Sequence, residues 1–228
     1  MPLERLRTGH TFGVRHDPDT VPVPGTLEEA IAVIEAGHSS DAASLALLEA
    51  ARTSSNPVLR RHALVGLEAR SALSESHIIE AISDLDAENR SRALRAAGRS
   101  DTPSPRLVEA LSAATADPED FVAVAAIRSI ADLVILDALD LLISLVGDHA
   151  DAMVREEAVA ALGALGDDRG LPSILNACGD KPAVRRRCVV ALGAFEGDEV
   201  EAALALLHED RDWQVRQAVA MLRRADLD

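Results

Sequence analysis

Residues 153–168 read MVREEAVAALGALGDD, and residues 183–199 read AVRRRCVVALGAFEGDE. Aligned on Val154 and Val184, both stretches carry Val-Arg, then a small residue (Ala158, Cys188), then Leu-Gly (Leu162-Gly163, Leu192-Gly193), at an interval of 30 residues. Working outward, the equivalents of Val154 are Val122, Asn89 and Leu59 on one side and Val184 and Val215 on the other, so six anchors stand 30, 33, 32, 30 and 31 residues apart. A period of that length is the mark of a stacked array, because one unit cannot bury its apolar face without its neighbours.

The spacing inside each copy says what the unit is. Positions +0, +4 and +8 from the anchor lie on one helical face and hold Leu59, Ala63 and Leu67, or Val122, Ala126 and Ile130, or Val154, Ala158 and Leu162. Position −3 is Asn56, Asp86, Glu119, Asp151, Lys181 or Asp212, mostly residues that accept from free N–H groups at a helix start. Pro57 and Pro182 follow at −2, where a first-turn proline is tolerated. Ahead of each anchored helix lies a second apolar-periodic segment: 41–52, 76–84, 104–116, 137–146, 171–178 and 198–208. The fold expected is therefore all-α: an α-solenoid of about six helix–turn–helix repeats of about 31 residues each. A capping helix over 27–36, with Thr26 and Glu29 spaced as a capping box, begins the stack. Arg223 and Arg224 replace the aliphatic residue and the glycine of the last copy, so both ends read as finished. The solenoid spans 26–228. Residues 1–25, with four prolines and no apolar periodicity, read as an extended N-terminal arm.

Composition agrees with closely packed helices: 48% of residues are hydrophobic but only 2% are aromatic. The formal charge of −15 repels phosphate backbones and argues against nucleic acid as the main partner. Lys181 is the only lysine beside 22 arginines, and 21 Asp exceed 17 Glu. This bias fits a GC-rich genome and, with the missing tyrosine, a salt-adapted (halophilic) cytoplasm. Cys178 and Cys188 have neither disulfide-framework nor metal-site spacing and read as free thiols. The apolar run 121–146 carries Arg128, Asp132, Asp137 and Asp140, which excludes a membrane span, and the polar start MPLERLRTGH reads as cytoplasmic.

The pattern D-x-D-x-x-V-R-x-x-A-x-x-A-L-G, front half in Asp210, Asp212, Val215 and Arg216 and back half in Val154 to Gly163, resembles the short HEAT-like repeats of the phycobilisome-lyase type. The resemblance covers about residues 27–228. It implies an armadillo-like helical solenoid that serves as scaffold or adaptor, with lyases, a hydroxylase and DNA-repair enzymes as the other roles of such repeats. HEAT-like proteins of this type in salt-loving archaea include adaptors between chemotaxis signalling and the motility motor. The hydroxylase relatives hold two irons with several His-Glu pairs, whereas this chain has one pair, His208-Glu209. No phosphate loop, nucleophile elbow or paired-cysteine motif is present, and no cofactor is expected.

The expected function is thus a non-catalytic scaffold that binds another protein along its second helices; the alternative is an enzyme or enzyme subunit of the lyase or DNA-repair type. Position +1 holds Arg60, Arg90, Arg155, Arg185 and Arg216, with Ala123 the exception. Two readings stay open for this ladder. The arginines, laddered with the −3 and −5 carboxylates of neighbouring turns, tie those turns together, or, with Arg92, Arg95, Arg186 and Arg187, they receive an acidic segment through bidentate contacts. Ala123, followed by Val124 and Ala125, reads as an uncharged break that could form a docking groove, and Trp213 as a contact anchor or a cover for the final turn.

Overall fold

The computed structural model describes residues 27–225, and the expected arm, together with Thr26, lies outside them. The described residues form thirteen α-helices: α1 (Leu27–His38), α2 (Ala42–Ala51), α3 (Pro57–Ala69), α4 (Glu75–Ile82), α5 (Ala87–Ala97), α6 (Pro105–Ala114), α7 (Asp120–Asp132), α8 (Leu139–Asp148), α9 (Ala152–Leu165), α10 (Leu171–Ala177), α11 (Pro182–Leu192), α12 (Asp198–His208) and α13 (Trp213–Ala225). Single 3-10 turns lead into α8 and α10. Every expected helix is present, six pairs following one unpaired helix. No described helix is long and apolar enough to cross a membrane.

The second helices of the pairs start where the −3 residue caps them. Asn56 accepts from Val58 N, Asp86 from Asn89 N, Asp151 from Met153 N and Val154 N, and Asp212 from Gln214 N and Val215 N, while Glu119 and Lys181 make no side-chain cap. Each such bond satisfies a free donor of the first turn. The +0, +4 and +8 residues are buried as the pattern requires, with Ala63, Leu67, Val122, Ala126, Ile130, Val154, Ala158, Leu162, Val184, Cys188 and Leu192 wholly inaccessible. Asn89 is the polar exception: it too is wholly buried, and its Nδ2 donates to Pro57 O and Asp84 Oδ2.

Down the stack the second helices pack directly on one another, whereas among successive first helices only α4 with α6 and α8 with α10 meet appreciably. The array therefore curves with the second helices as its inner row and the first helices as its outer row. Close approach in the inner row depends on position +9. A Cβ on Gly163 would lie 2.7 Å from Ala191 Cα, and one on Gly193 would lie 2.7 Å from Leu222 Cδ1. In α1, a Cβ on Gly37 would meet Gly66 Cα at 2.9 Å. Position +9 of α3 is Glu68 instead, and there the inner row is thin: α3 and α5 share few contacts, and the core divides into a small cluster around Val33, Leu48 and Leu67 and a large one running from Leu64 to Val219.

Candidate partner-binding face

The +1 arginines sit at the seams between repeats, and four of them make one repeated construction. Arg90 donates from Nε and Nη2 to Asp117 at 2.7 and 2.8 Å, Arg155 to Asp180 at 2.6 and 2.9 Å, and Arg185 to Asp210 at 2.8 and 2.7 Å. Arg60 holds Asp84 in the same two-pronged way. In each case Nη1 turns back to the carbonyls before its own helix: Ser54 and Ser55 for Arg60, Asp84 and Leu85 for Arg90, His149 and Ala150 for Arg155, Asp180 for Arg185. The acid has a second task, since one carboxylate oxygen accepts from a backbone N–H of the turn ahead of the next second helix: Asp86 N, Glu119 N, Lys181 N or Asp212 N. One guanidinium thus joins two turns and one carboxylate fixes the second. Arg155 and Arg185 are the first cause that holds Asp180 and Asp210 below the usual carboxylate range.

Between the third and fourth repeats both halves of this clamp are missing. Ala123 stands where the arginine would be, and His149 where the acid would be, its Nδ1 accepting from Asp151 N at 3.1 Å as the acids do elsewhere. The seam is bridged on the inner row by Arg128 and Glu157, at 2.8 and 2.9 Å. Ala123 itself is wholly buried, and Ala125 is 5% exposed. The break is therefore real but forms no exposed apolar strip, because packing at the seam buries the alanine.

The inner row keeps side chains that stacking does not use. Val65, Arg95, Val190 and Met221 are exposed there, the last two at 60% and 59%. Between α11 and α13 a cup of about 270 Å³ is lined by Arg186, Arg187, Val189, Val190, Ala218, Met221 and Leu222. A cleft of about 500 Å³ lies between the first two repeats, but its charged lining is already paired: Arg52 with Glu49 and Glu80, Arg60 with Asp84. Among the described residues no group of three or more His, Cys, Asp or Glu is placed to hold a metal ion. Both cysteines are free, and the hydrogen bond with Cys178, together with burial, pushes the Cys188 thiol up.

A family model for HEAT repeats matches residues 108–183 and 139–223, together just over half of the chain. The chain belongs to the HEAT-repeat family. No curated protein matches it. Among solved structures this HEAT protein is similar to YibA of Escherichia coli (14% identity, TM-score 0.59, 87% of this chain and 74% of that one). It is also similar to an engineered protein (20%, 0.54, 84% and 61%) and to a designed armadillo repeat protein in complex with the peptide (KR)4 (18%, 0.51, 85% and 97%). At these identities the likeness is one of fold.

The residues singled out in the HEAT protein's sequence separate into two groups. Arg90, Arg155 and Arg185 are held in the seams, Arg185 only 5% exposed. Arg216 donates to Asp210 O at 2.6 Å. Arg92, Arg186 and Arg187 stand on the inner row, bound to Glu68, Gln214 and Glu156. Trp213 is 61% exposed at the start of α13, so it does not cover the final turn. Arg223 and Arg224 are exposed as expected at the end of α13, while α1 exposes Ile31 and α12 exposes Leu206 at 77%. The acids that complete the clamps bear out the expected ladder of +1 arginines with −5 carboxylates at Asp84, Asp117 and Asp210, while Asp180 stands one residue later, at −4. Sequence reasoning missed Val190 and Met221, both at +6, a position whose residue varies from copy to copy.

Proposed function

We propose that this HEAT-repeat solenoid is a non-catalytic protein-binding module that holds a partner segment along its inner row. The observation that carries the reading is the division of labour on the second helices: the +1 arginines are committed to the seams, while Val65, Arg95, Val190 and Met221 stay exposed beside them. A curved, rigid surface built this way suits an extended or helical ligand. The designed armadillo protein of like fold, in complex with a peptide, supports the reading that such a solenoid holds a peptide segment. The Val-Arg and Leu-Gly signature supports assignment of the repeats to the phycobilisome-lyase-like type, with the lyase chemistry left behind. The paired charges in the 500 Å³ cleft support a structural role for that cleft rather than a catalytic one.

Affinity capture with the intact chain and with a V65E/R95E/V190E variant tests the reading. The expected result is a stoichiometric protein partner retained by the parent chain and lost by the variant, both having the same helical circular dichroism. A partner held equally by both would place the site elsewhere, and capture of no partner by either would overturn the module.

A further inference from the structure

Sign of charge separates the two rows of helices. The six second helices α3, α5, α7, α9, α11 and α13 carry thirteen arginines and six acids, and the six first helices α2, α4, α6, α8, α10 and α12 carry one arginine and nine acids. At the C-terminal end the separation is complete: α11 and α13 contain six arginines and no Asp or Glu, in a chain of net charge −15. Arg185 is committed to the seam and Arg216 to a turn carbonyl, which leaves Arg186, Arg187, Arg223 and Arg224.

We propose that the cup between α11 and α13 is the docking site for an acidic peptide segment carrying a large aliphatic or aromatic side chain. This rests on the inner-row reading above and names the chemistry of its partner. The apolar side chain seats on Val189, Val190, Ala218, Met221 and Leu222, and flanking carboxylates meet the guanidinium groups of Arg186 and Arg187. Three observations converge on this occupant. Val190 and Met221 are more than half exposed on facing helices, leaving an apolar floor open to water, as recognition surfaces do. The walls are basic without exception, and a guanidinium takes a carboxylate through two parallel hydrogen bonds. Arg187 is under-used: Nη2 reaches Glu156 at 3.2 Å, but Nε is buried without any partner. Buried polar groups are almost always satisfied, and with Nε held by nothing the Arg187 guanidinium can turn outward to an acceptor that arrives with a ligand. A basic segment would meet the like charge of Arg186 and Arg187 here. A nucleic-acid strand would find the arginines but would gain nothing from the floor and would be repelled by the outer row.

Selection of random 12-residue peptides displayed on phage against the full chain, with the V190D/M221D variant as counter-target, tests the proposal. The expected winners carry Asp or Glu around Leu, Ile or Phe. A fluorescein-labelled copy of the leading sequence, followed by anisotropy, is expected to lose about tenfold or more in affinity to V190D/M221D and to R187Q, and to weaken as salt rises. R187Q keeps the test decisive if the double variant fails to fold. Basic winners, or acidic winners whose binding neither variant changes, would overturn the cup. If those same winners bind V65E/R95E poorly, the inner-row reading survives without it. Failure to enrich any peptide would sink both. A 12-nucleotide oligo-dT that displaces the peptide at lower concentration than unlabelled peptide would assign the arginines to nucleic acid and overturn the proposal.

Discussion

A single guanidinium shows how one residue type can serve opposite ends. Arg185 and Asp210 have side chains only 6% and 11% exposed, so removal of the arginine strands a poorly solvated carboxylate, whereas Arg128, 58% exposed beside Glu157, pairs largely in water. Arg185→Met is expected to cost about 3 kcal/mol in urea unfolding at pH 7. Arg128→Ala is expected to cost under about 1 kcal/mol. The folded value of Asp210 is lowered relative to the unfolded chain. The clamp's contribution is therefore complete above the ordinary carboxylate value of about 3.9 and is lost as pH falls below it through the folded value. The gap between Arg185→Met and the parent should accordingly be wide at pH 7 and narrow at pH 3. Backbone tells a similar residue-level story where the chain leaves the second helices. Val134, Ser71 and Gly166 occupy the equivalent left-handed position at φ 52, 54 and 62. A branched side chain is strained there, and Val134 is 58% exposed with little contact to lose. Val134→Gly is expected to raise the thermal midpoint, for a gain of about 1 kcal/mol.

At the scale of the helix, the closest approach between α9 and α11 is made at +9. Gly163→Ala would drive a methyl into the Ala191 backbone and is expected to cost about 1–3 kcal/mol by thermal unfolding, without change in helical content. Glu68 at the same position pairs with Arg92 and Arg99 across the thinly packed α3–α5 junction. Amide exchange should reveal the consequence, with α1, α2 and α3 opening as a unit ahead of α7, α9 and α11. Helix positions, pairing and the anchored face were all legible in the repeat, because burial by stacking imposes the same spacing on every copy. The ladder of arginines and −5 carboxylates was legible too, but the two-pronged clamp and the cup were not, for different reasons. A carboxylate one repeat away in sequence is adjacent only once the helices stack, and the cup depends on +6 positions that carry no repeat signal. Ala123 shows the limit most clearly: its sequence neighbourhood looks like a groove, and packing turns it inward.

Taken whole, the molecule is a chain of couplings, each between one repeat and the next. Four of the five junctions join an arginine to an aspartate; the remaining one joins Ala123 to His149. Ala123→Arg alone is expected to destabilise the stack, and His149→Asp in the same chain to recover part of the loss. The coupling of about 1–3 kcal/mol would be read from a double-mutant cycle of urea midpoints. The couplings also act as a grammar for rearrangement. Repeats whose leading edge carries aspartate and whose trailing edge carries arginine, the second (Asp84, Arg90) and the fifth (Asp180, Arg185), can be duplicated in tandem with every coupling intact. A second copy of the third repeat would set Ala123 against Asp117, and a second copy of the fourth would set Arg155 against His149. The array can thus grow like a row of dominoes within either half, while the third and fourth repeats fit only each other and fix the order in which the two halves are read.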